Sequence, residues 1–212
     1  MKDPDEQKRL EIGAYHEAAH AVACYLLHKR FKYVTINPEG KRLGEILYPK
    51  KISKPIPSER ELRLIKRAYM VFLAGAIAEA IFSGKCEFQD ILPLLGLPSS
   101  RIEDSRKCNE IFWKLHFAET KLLIYAPWNW QAVITLADEL LNQEKIPYQT
   151  ARKIIKQAIE DYHEGVRNGI SALHYSDYSD FVKRVKDSKV KFKERMRAAT
   201  LEIMERRRQG RA

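Results

Sequence analysis

The chain has 212 residues, of which 45% are hydrophobic and 31% are charged, and its formal net charge is +10. This composition is typical of a globular protein with one domain, or one domain and an appendage, and it excludes a disordered or fibrous chain. No apolar run reaches the roughly 18 residues of a membrane-spanning helix, and the N-terminal segment lacks the apolar core of a signal peptide. Three cysteines without close spacing argue against a disulfide framework, so we expect a cytoplasmic protein.

The first predicted elements are a helix and a hairpin. Asp3 is a candidate N-cap for a helix that runs to about His28, because apolar residues recur along it every three or four positions. The residues that follow predict a strand at 32–37, a turn containing Gly40 and a second strand at 43–48. The edge of this hairpin is a candidate binding site for an extended peptide.

The rest of the body is predicted to be helical, with capping boxes and helix breakers marking the boundaries. The predicted helices span about 58–84, 100–124, 128–143 and 148–163. Ile146 and Pro147 form the junction between the last two helices, and Gly165 marks a looser region after them. We therefore expect a mainly α fold with a small β hairpin or sheet, an α+β architecture.

The first helix contains His16-Glu17-Ala18-Ala19-His20, a match to H-E-x-x-H. Residues i and i+4 lie on one face of a helix, so the two histidines can direct their imidazoles at one metal ion. Imidazole suits Zn²⁺, which in a catalytic site has three protein ligands and lowers the pKa of a bound water toward about 7. Glu17 can accept the proton of that water during attack on a peptide carbonyl and then pass it to the leaving amine.

A chance match to this motif is expected in roughly one chain in a hundred of ordinary composition. Such a match would place two histidines on the surface, or at the core edge, of an amphipathic helix. The alanines around His16 and His20 instead indicate a tightly packed helix. Burying two histidines there without a metal or a partner would be costly, so the context favours a metal site.

The third ligand decides the class of metallopeptidase. The extended metzincin motif requires Gly at 23 and His at 26, whereas this chain has Ala23 and Leu26, so that class is excluded. A carboxylate from a later part of the chain is then the expected ligand. The candidates are Glu79, Asp90, Glu103 and Asp104. Spacing alone does not choose among them.

Five segments in order resemble the peptidase domain of FtsH-type AAA+ zinc metalloproteases. They are AYHEAAHAV at 14–22, YVTINPEGKRLGEILYP at 33–49, AGAIAEAIFSG at 74–84, SSRIEDSRKCNEIF at 99–112 and LADELLNQEKIPYQTARKII at 136–155. The resemblance covers roughly residues 10–160 and implies that peptidase fold, with the zinc-binding helix near the N-terminus, for a domain of residues 1–165.

The resemblance implies that His16, His20 and Asp104 bind zinc and that Glu17 is the catalytic base. Glu79 would then orient one ligand histidine by accepting its second N–H, as carboxylates around metal sites commonly do. The implied activity is that of a zinc-dependent endopeptidase that hydrolyses peptides or unfolded proteins. The chain departs from the family pattern at Ala19, where the family usually has glycine.

The chain also contains no GxxxxGK[ST] motif, so we expect no ATPase activity of its own. A homo-oligomer and an unfoldase acting in trans are therefore candidate partners. The alternative hypothesis is a peptidase-like protein of weak or no activity that acts as an adaptor or oligomeric scaffold through its basic C-terminal helix. The intact Glu17 argues against this alternative, because a scaffold needs no catalytic base.

The positive charge is concentrated at the C-terminal end of the chain. Residues 183–212 contain 12 Lys or Arg and four acids, a net charge of +8, which leaves the preceding 182 residues near neutral at +2. Apolar residues recur in this segment at alternating spacings of three and four, which predicts a helix at about 178–207. We expect 166–212 to form a basic helical extension that packs on the body or joins an oligomer, with nucleic acid or a membrane the least favoured partner.

Overall fold

A computed structural model describes residues 4–36, 59–84 and 108–168. The elements within these ranges are α1 (Pro4–Leu26), β1 (Tyr33–Thr35), α2 (Glu59–Phe82), α3 (Cys108–Tyr125), α4 (Pro127–Gln143), β2 (Lys145–Pro147) and α5 (Tyr148–Arg167). This part of the chain is mostly helical with one small antiparallel sheet, which confirms the predicted mainly α architecture. All of it belongs to the first of two compact units, Met1–Leu173 and His174–Ala212.

Several predictions concern residues outside the described ranges. These are the strand at 43–48, the first part of the helix predicted from residue 100, the basic helix at 178–207, and the candidate ligands Asp90, Glu103 and Asp104. They stay predictions.

The helix boundaries follow the breakers in the sequence. α1 begins at Pro4, whose fixed φ and missing N–H suit the first helical position. α2 ends at Phe82, and Gly84 follows it with φ of +69°, a left-handed conformation that glycine adopts without strain. α3 gives way to α4 at Pro127, since proline cannot continue the preceding helix.

Alanine-rich faces hold the first two helices close together. α1 packs against α2 and α4, α2 also packs against α3, and α4 packs against α5. The side chains of α1 and α2 that are fully buried in the core shared by these helices are mostly small: Ala14, Ala18, Ala19, Ala23, Ala74 and Ala78. Small side chains let two helix backbones approach closely, so residues on the facing surfaces of α1 and α2 come within hydrogen-bonding distance.

The sheet joins two segments that are distant in the sequence. Val34 of β1 lies opposite Ile146 of β2, and the pairing is antiparallel. A side-chain hydrogen bond adds to this pairing, because the hydroxyl of Thr35 donates to the backbone oxygen of Glu144 at 2.7 Å. Ile146 and Pro147 join α4 and α5, as predicted, but they also belong to a strand that the sequence did not predict. They form β2, whose three residues are too few to show a strand periodicity.

The last described helix is longer than predicted. α5 continues to Arg167 and includes Gly165, which was expected to lie in a looser region. The predicted boundary between residues 165 and 166 consequently falls inside a helix. Among the helices of the described ranges, none is long and apolar enough to cross a membrane.

Candidate metal centre

The two histidines of the H-E-x-x-H motif lie at the interface between α1 and α2. Nδ1 of His16 lies 3.2 Å from Oε2 of Glu79, and Nδ1 of His20 lies 2.7 Å from the backbone oxygen of Val71. The later histidine of α1 thus meets the earlier partner on α2, which shows that the helices run antiparallel. The structure therefore brings together three of the residues that sequence patterns singled out, His16, His20 and Glu79.

The partners at Nδ1 decide which ring nitrogen carries the proton. A backbone carbonyl only accepts hydrogen bonds, so Nδ1 of His20 must be the donor to Val71. The carboxylate of Glu79 likewise accepts from Nδ1 of His16. In a neutral imidazole the other nitrogen then has a free lone pair, and here that nitrogen is Nε2 in both rings.

The two Nε2 atoms lie 3.1 Å apart. Two lone pairs at this separation repel each other unless a cation, a proton or a metal ion, lies between or beside them. Zn–N bonds of about 2.0–2.1 Å can span the gap from both nitrogens to one ion. The donor set and its spacing therefore fit a shared metal ion.

Burial keeps His20 in the form that binds metals. Removal from solvent, together with the neighbouring His16, lowers the pKa of His20 to about 3, against a smaller opposing effect of the hydrogen bond to Val71. The imidazole is therefore neutral over the physiological pH range. A neutral ring keeps its Nε2 lone pair available, as a metal ligand requires.

Glu17 is a buried carboxyl group beside this pair. It is 7% exposed. Burial raises the pKa of Glu17 to about 8. A carboxyl group whose pKa is raised by burial is more common at functional sites than elsewhere.

Gly75 of α2 faces both imidazoles, and the sequence analysis did not single it out. A Cβ atom at this position would lie 2.5 Å from Nε2 of His16 and 2.5 Å from Nε2 of His20, well inside van der Waals contact. A sequence signal for it existed. Glycine within a helix lowers helix stability by about 1 kcal/mol relative to alanine. A lone glycine in the alanine-rich stretch 74–80 therefore indicates that another group lies too close to the helix to leave room for a Cβ atom.

One side of the site is open to solvent. The side chains of His16 and Glu79 are 26% and 24% exposed. Tyr15 lines the neighbouring surface, with its ring centroid 4.4 Å from that of Phe82 and 5.8 Å from that of Trp130. Small molecules and ions can therefore reach the imidazole of His16 without an opening of the core.

The helix that follows the predicted third ligand runs antiparallel to α2. Nζ of Lys66 lies 2.8 Å from Oε2 of Glu119, and the ring of Tyr69 stacks on that of His116 with centroids 6.0 Å apart. Early residues of α2 thus meet late residues of α3, which places the N-terminal end of α3 toward the half of α2 that contains Gly75.

Asp104 itself lies outside the described ranges, four residues before the start of α3. Within those ranges, no group of three or more His, Cys, Asp or Glu is placed to hold a metal ion. The described residues thus supply two candidate ligands and one carboxylate partner. No protein-family model and no curated protein matches the chain, so the assignment of the site depends on its own geometry.

Proposed function

We propose that the chain is a zinc-dependent endopeptidase that hydrolyses peptides or unfolded proteins. The observation that carries the proposal is the distance of 3.1 Å between the Nε2 atoms of His16 and His20. In each ring, Nδ1 donates a hydrogen bond to an acceptor on α2. When both rings are neutral, neither Nε2 carries a proton, and a shared metal ion then gives a simple physical explanation for their proximity. The motif that supplies them also supplies an acidic residue between them, Glu17.

His16 and His20 would hold the ion, and a carboxylate would complete the three protein ligands of a catalytic zinc site. Asp104 is our choice for that carboxylate, on its place in the segment that resembles the FtsH-type ligand segment. The direction of α3 supports this choice, because α3 begins near the half of α2 that faces the histidines. When bound, zinc would polarise the scissile carbonyl and acidify a water.

Glu17 would act as the general base. A base is most effective when its pKa lies near the working pH, and burial moves the pKa of Glu17 to about 8. Its carboxyl group can hold the proton taken from water and deliver it to the leaving amine.

Glu79 would orient His16 rather than bind the metal. Its carboxylate contacts Nδ1, the nitrogen on the opposite side of the ring from the pair. By accepting that N–H, it holds the ring in the tautomer and rotation that expose Nε2. Val71 performs the same task for His20 through its backbone oxygen.

The test is a combined measurement of metal content and peptidase activity. Purified protein should contain about one equivalent of zinc and cleave an unfolded protein such as reduced, denatured casein. Glu17→Gln should retain zinc and lose activity by at least about 100-fold, the usual contribution of a general base. The double variant His16→Ala/His20→Ala should lose both properties. His163→Ala, a change on α5, is the matched histidine control and should change neither.

Each failure has a distinct meaning. Protein that binds zinc but cleaves no unfolded substrate, or Glu17→Gln with full activity, would reject the enzyme and favour the adaptor or scaffold alternative. Protein with no affinity for zinc would reject the metal centre itself. An unfoldase partner, a homo-oligomer and a role of the basic segment in binding remain separate predictions.

A further inference from the structure

We propose that Gly75 is a positioning residue that keeps the two imidazoles paired. This inference deepens the proposed function and depends on it, because the pairing matters only if the rings bind a metal. The evidence is the set of atoms that a side chain at position 75 would contact. A Cβ atom added there would lie 2.5 Å from Nε2 of each histidine and 2.6 Å from Cδ2 of His16.

The rest of the helix shows that this requirement is local. Alanine occupies two nearby positions of α2, Ala74 and Ala78, and both are fully buried in the core that α2 shares with α1. The interface therefore accepts a methyl group on either side of Gly75. What differs at Gly75 is the identity of the facing atoms, which are the metal-binding ends of the two rings.

The facing atoms also predict how the protein would respond to a methyl group. All three are at the far ends of side chains, and none is a backbone atom. The rings can move away while α1 and α2 stay in place. Their displacement would break the Nδ1 contacts with Glu79 and Val71 and separate the Nε2 atoms. Gly75→Ala should therefore impair metal binding far more than folding.

The experiment measures zinc affinity and stability separately. Zinc affinity is measured by competition with a chromogenic chelator, and unfolding by urea in the presence of EDTA. We expect Gly75→Ala to weaken zinc binding by at least about 10–100-fold, the range typical when residues that orient metal ligands are lost. Its urea midpoint in EDTA should remain near that of the wild type. Gly13→Ala and Gly165→Ala are the matched controls, since a Cβ atom at either position meets nothing within 4 Å.

Unchanged zinc affinity in Gly75→Ala would overturn the proposal. If Gly75→Ala fails to fold, the same substitution in the His16→Ala/His20→Ala background decides the question. A clash with the rings predicts that the substitution is tolerated there. An equal loss of stability in both backgrounds would instead mean that the helix backbones need the glycine, and would also overturn the proposal.

This test is distinguishable from failure of the proposed function. A wild-type protein that binds zinc without peptidase activity would leave the Gly75 inference standing, because its readout is affinity. A wild-type protein without zinc affinity would remove the proposed function. The EDTA comparison of the two backgrounds would then still show whether Gly75 accommodates the rings.

Discussion

Each imidazole of the site is fixed by one partner on α2, and the two partners differ in kind. The partner of His20 is a backbone oxygen, which no substitution at Val71 removes directly. The partner of His16 is the carboxylate of Glu79, at 3.2 Å and partly exposed. A substitution of Glu79 can therefore test whether these contacts orient the imidazoles.

Glu79→Ala should weaken zinc binding by about 10–100-fold, because His16 loses the acceptor that holds its Nδ1–H. Glu79→Gln should show a smaller loss, since the amide oxygen still accepts a hydrogen bond but lacks the charge. Zinc affinity from chelator competition measures both. Glu139→Ala, which removes only an exposed contact with Gln143, is the control. A Glu79→Ala protein with wild-type affinity would show that the contact does not orient a ligand.

Cys24, which lies one helical turn after His20 on α1, provides a pH-dependent test of core burial. Burial raises the pKa of the Cys24 thiol from 9.0 to about 11, against a smaller opposing effect of Lys29. The unfolded thiol ionises above pH 9 while the folded thiol keeps its proton, so the unfolded state binds fewer protons. The free energy of unfolding should therefore fall as pH rises from 9 to 11, by up to about 3 kcal/mol from this group.

The measurement is the difference in urea stability between wild type and Cys24→Ala as a function of pH. Lys29 interacts with Cys24, so its titration contributes to the difference together with that of the thiol. Groups that do not interact with Cys24 titrate alike in both proteins and cancel. Below pH 9 the difference should be constant. A difference that stays constant up to pH 11 would mean that Cys24 is accessible to solvent in the folded protein.

At the scale of elements, the helices were predictable and β2 was not. α1 and α2 show apolar residues at helical spacing for more than four turns, with a proline or a glycine at an end, and such long patterns identify helices directly. β2 is three residues long and includes Pro147, which cannot donate to a sheet. It is a strand because β1 pairs with it, and that long-range contact is not encoded in local sequence.

The same reasoning applies to the candidate site. The spacing of His16 and His20 predicted that they share a face, since this follows from helix geometry alone. The contact of Glu79 was expected only from a family resemblance. The contacts of Val71 and Gly75 depend on how α2 lies across α1, so tertiary packing rather than sequence determines them.

Ile146 tests whether β2 belongs to the core. It is fully buried, and its β2 neighbours on both sides are exposed. Ile146→Ala should lower the free energy of unfolding by about 2–4 kcal/mol, the usual range for an isoleucine truncated in a packed core. Urea denaturation measures the loss, with the exposed Gln149→Ala as control. A loss below 1 kcal/mol would show that this strand is not part of the folded core in solution.

At the scale of the whole molecule, α2 connects the described part of the site to the segment expected to complete it. α1 packs on α2 and presents the histidines, while α3 packs on α2 in the antiparallel direction. The start of α3 therefore lies toward the half of α2 that faces the rings.

The segment before α3 can be tested by substituting its acids one at a time. Asp104→Ala should abolish measurable zinc affinity or reduce it by at least about 100-fold, whereas Asp90→Ala and Glu103→Ala should retain it. X-ray absorption of the zinc-loaded wild type should show two imidazole ligands and oxygen ligands. Excess zinc at 100 times its Kd should raise the free energy of unfolding of the wild type by about 2.7 kcal/mol, and this increase should vanish in Asp104→Ala. Retention of zinc by Asp104→Ala, with loss in Glu103→Ala or Asp90→Ala, would move the third ligand to that residue and leave the histidine pair in place.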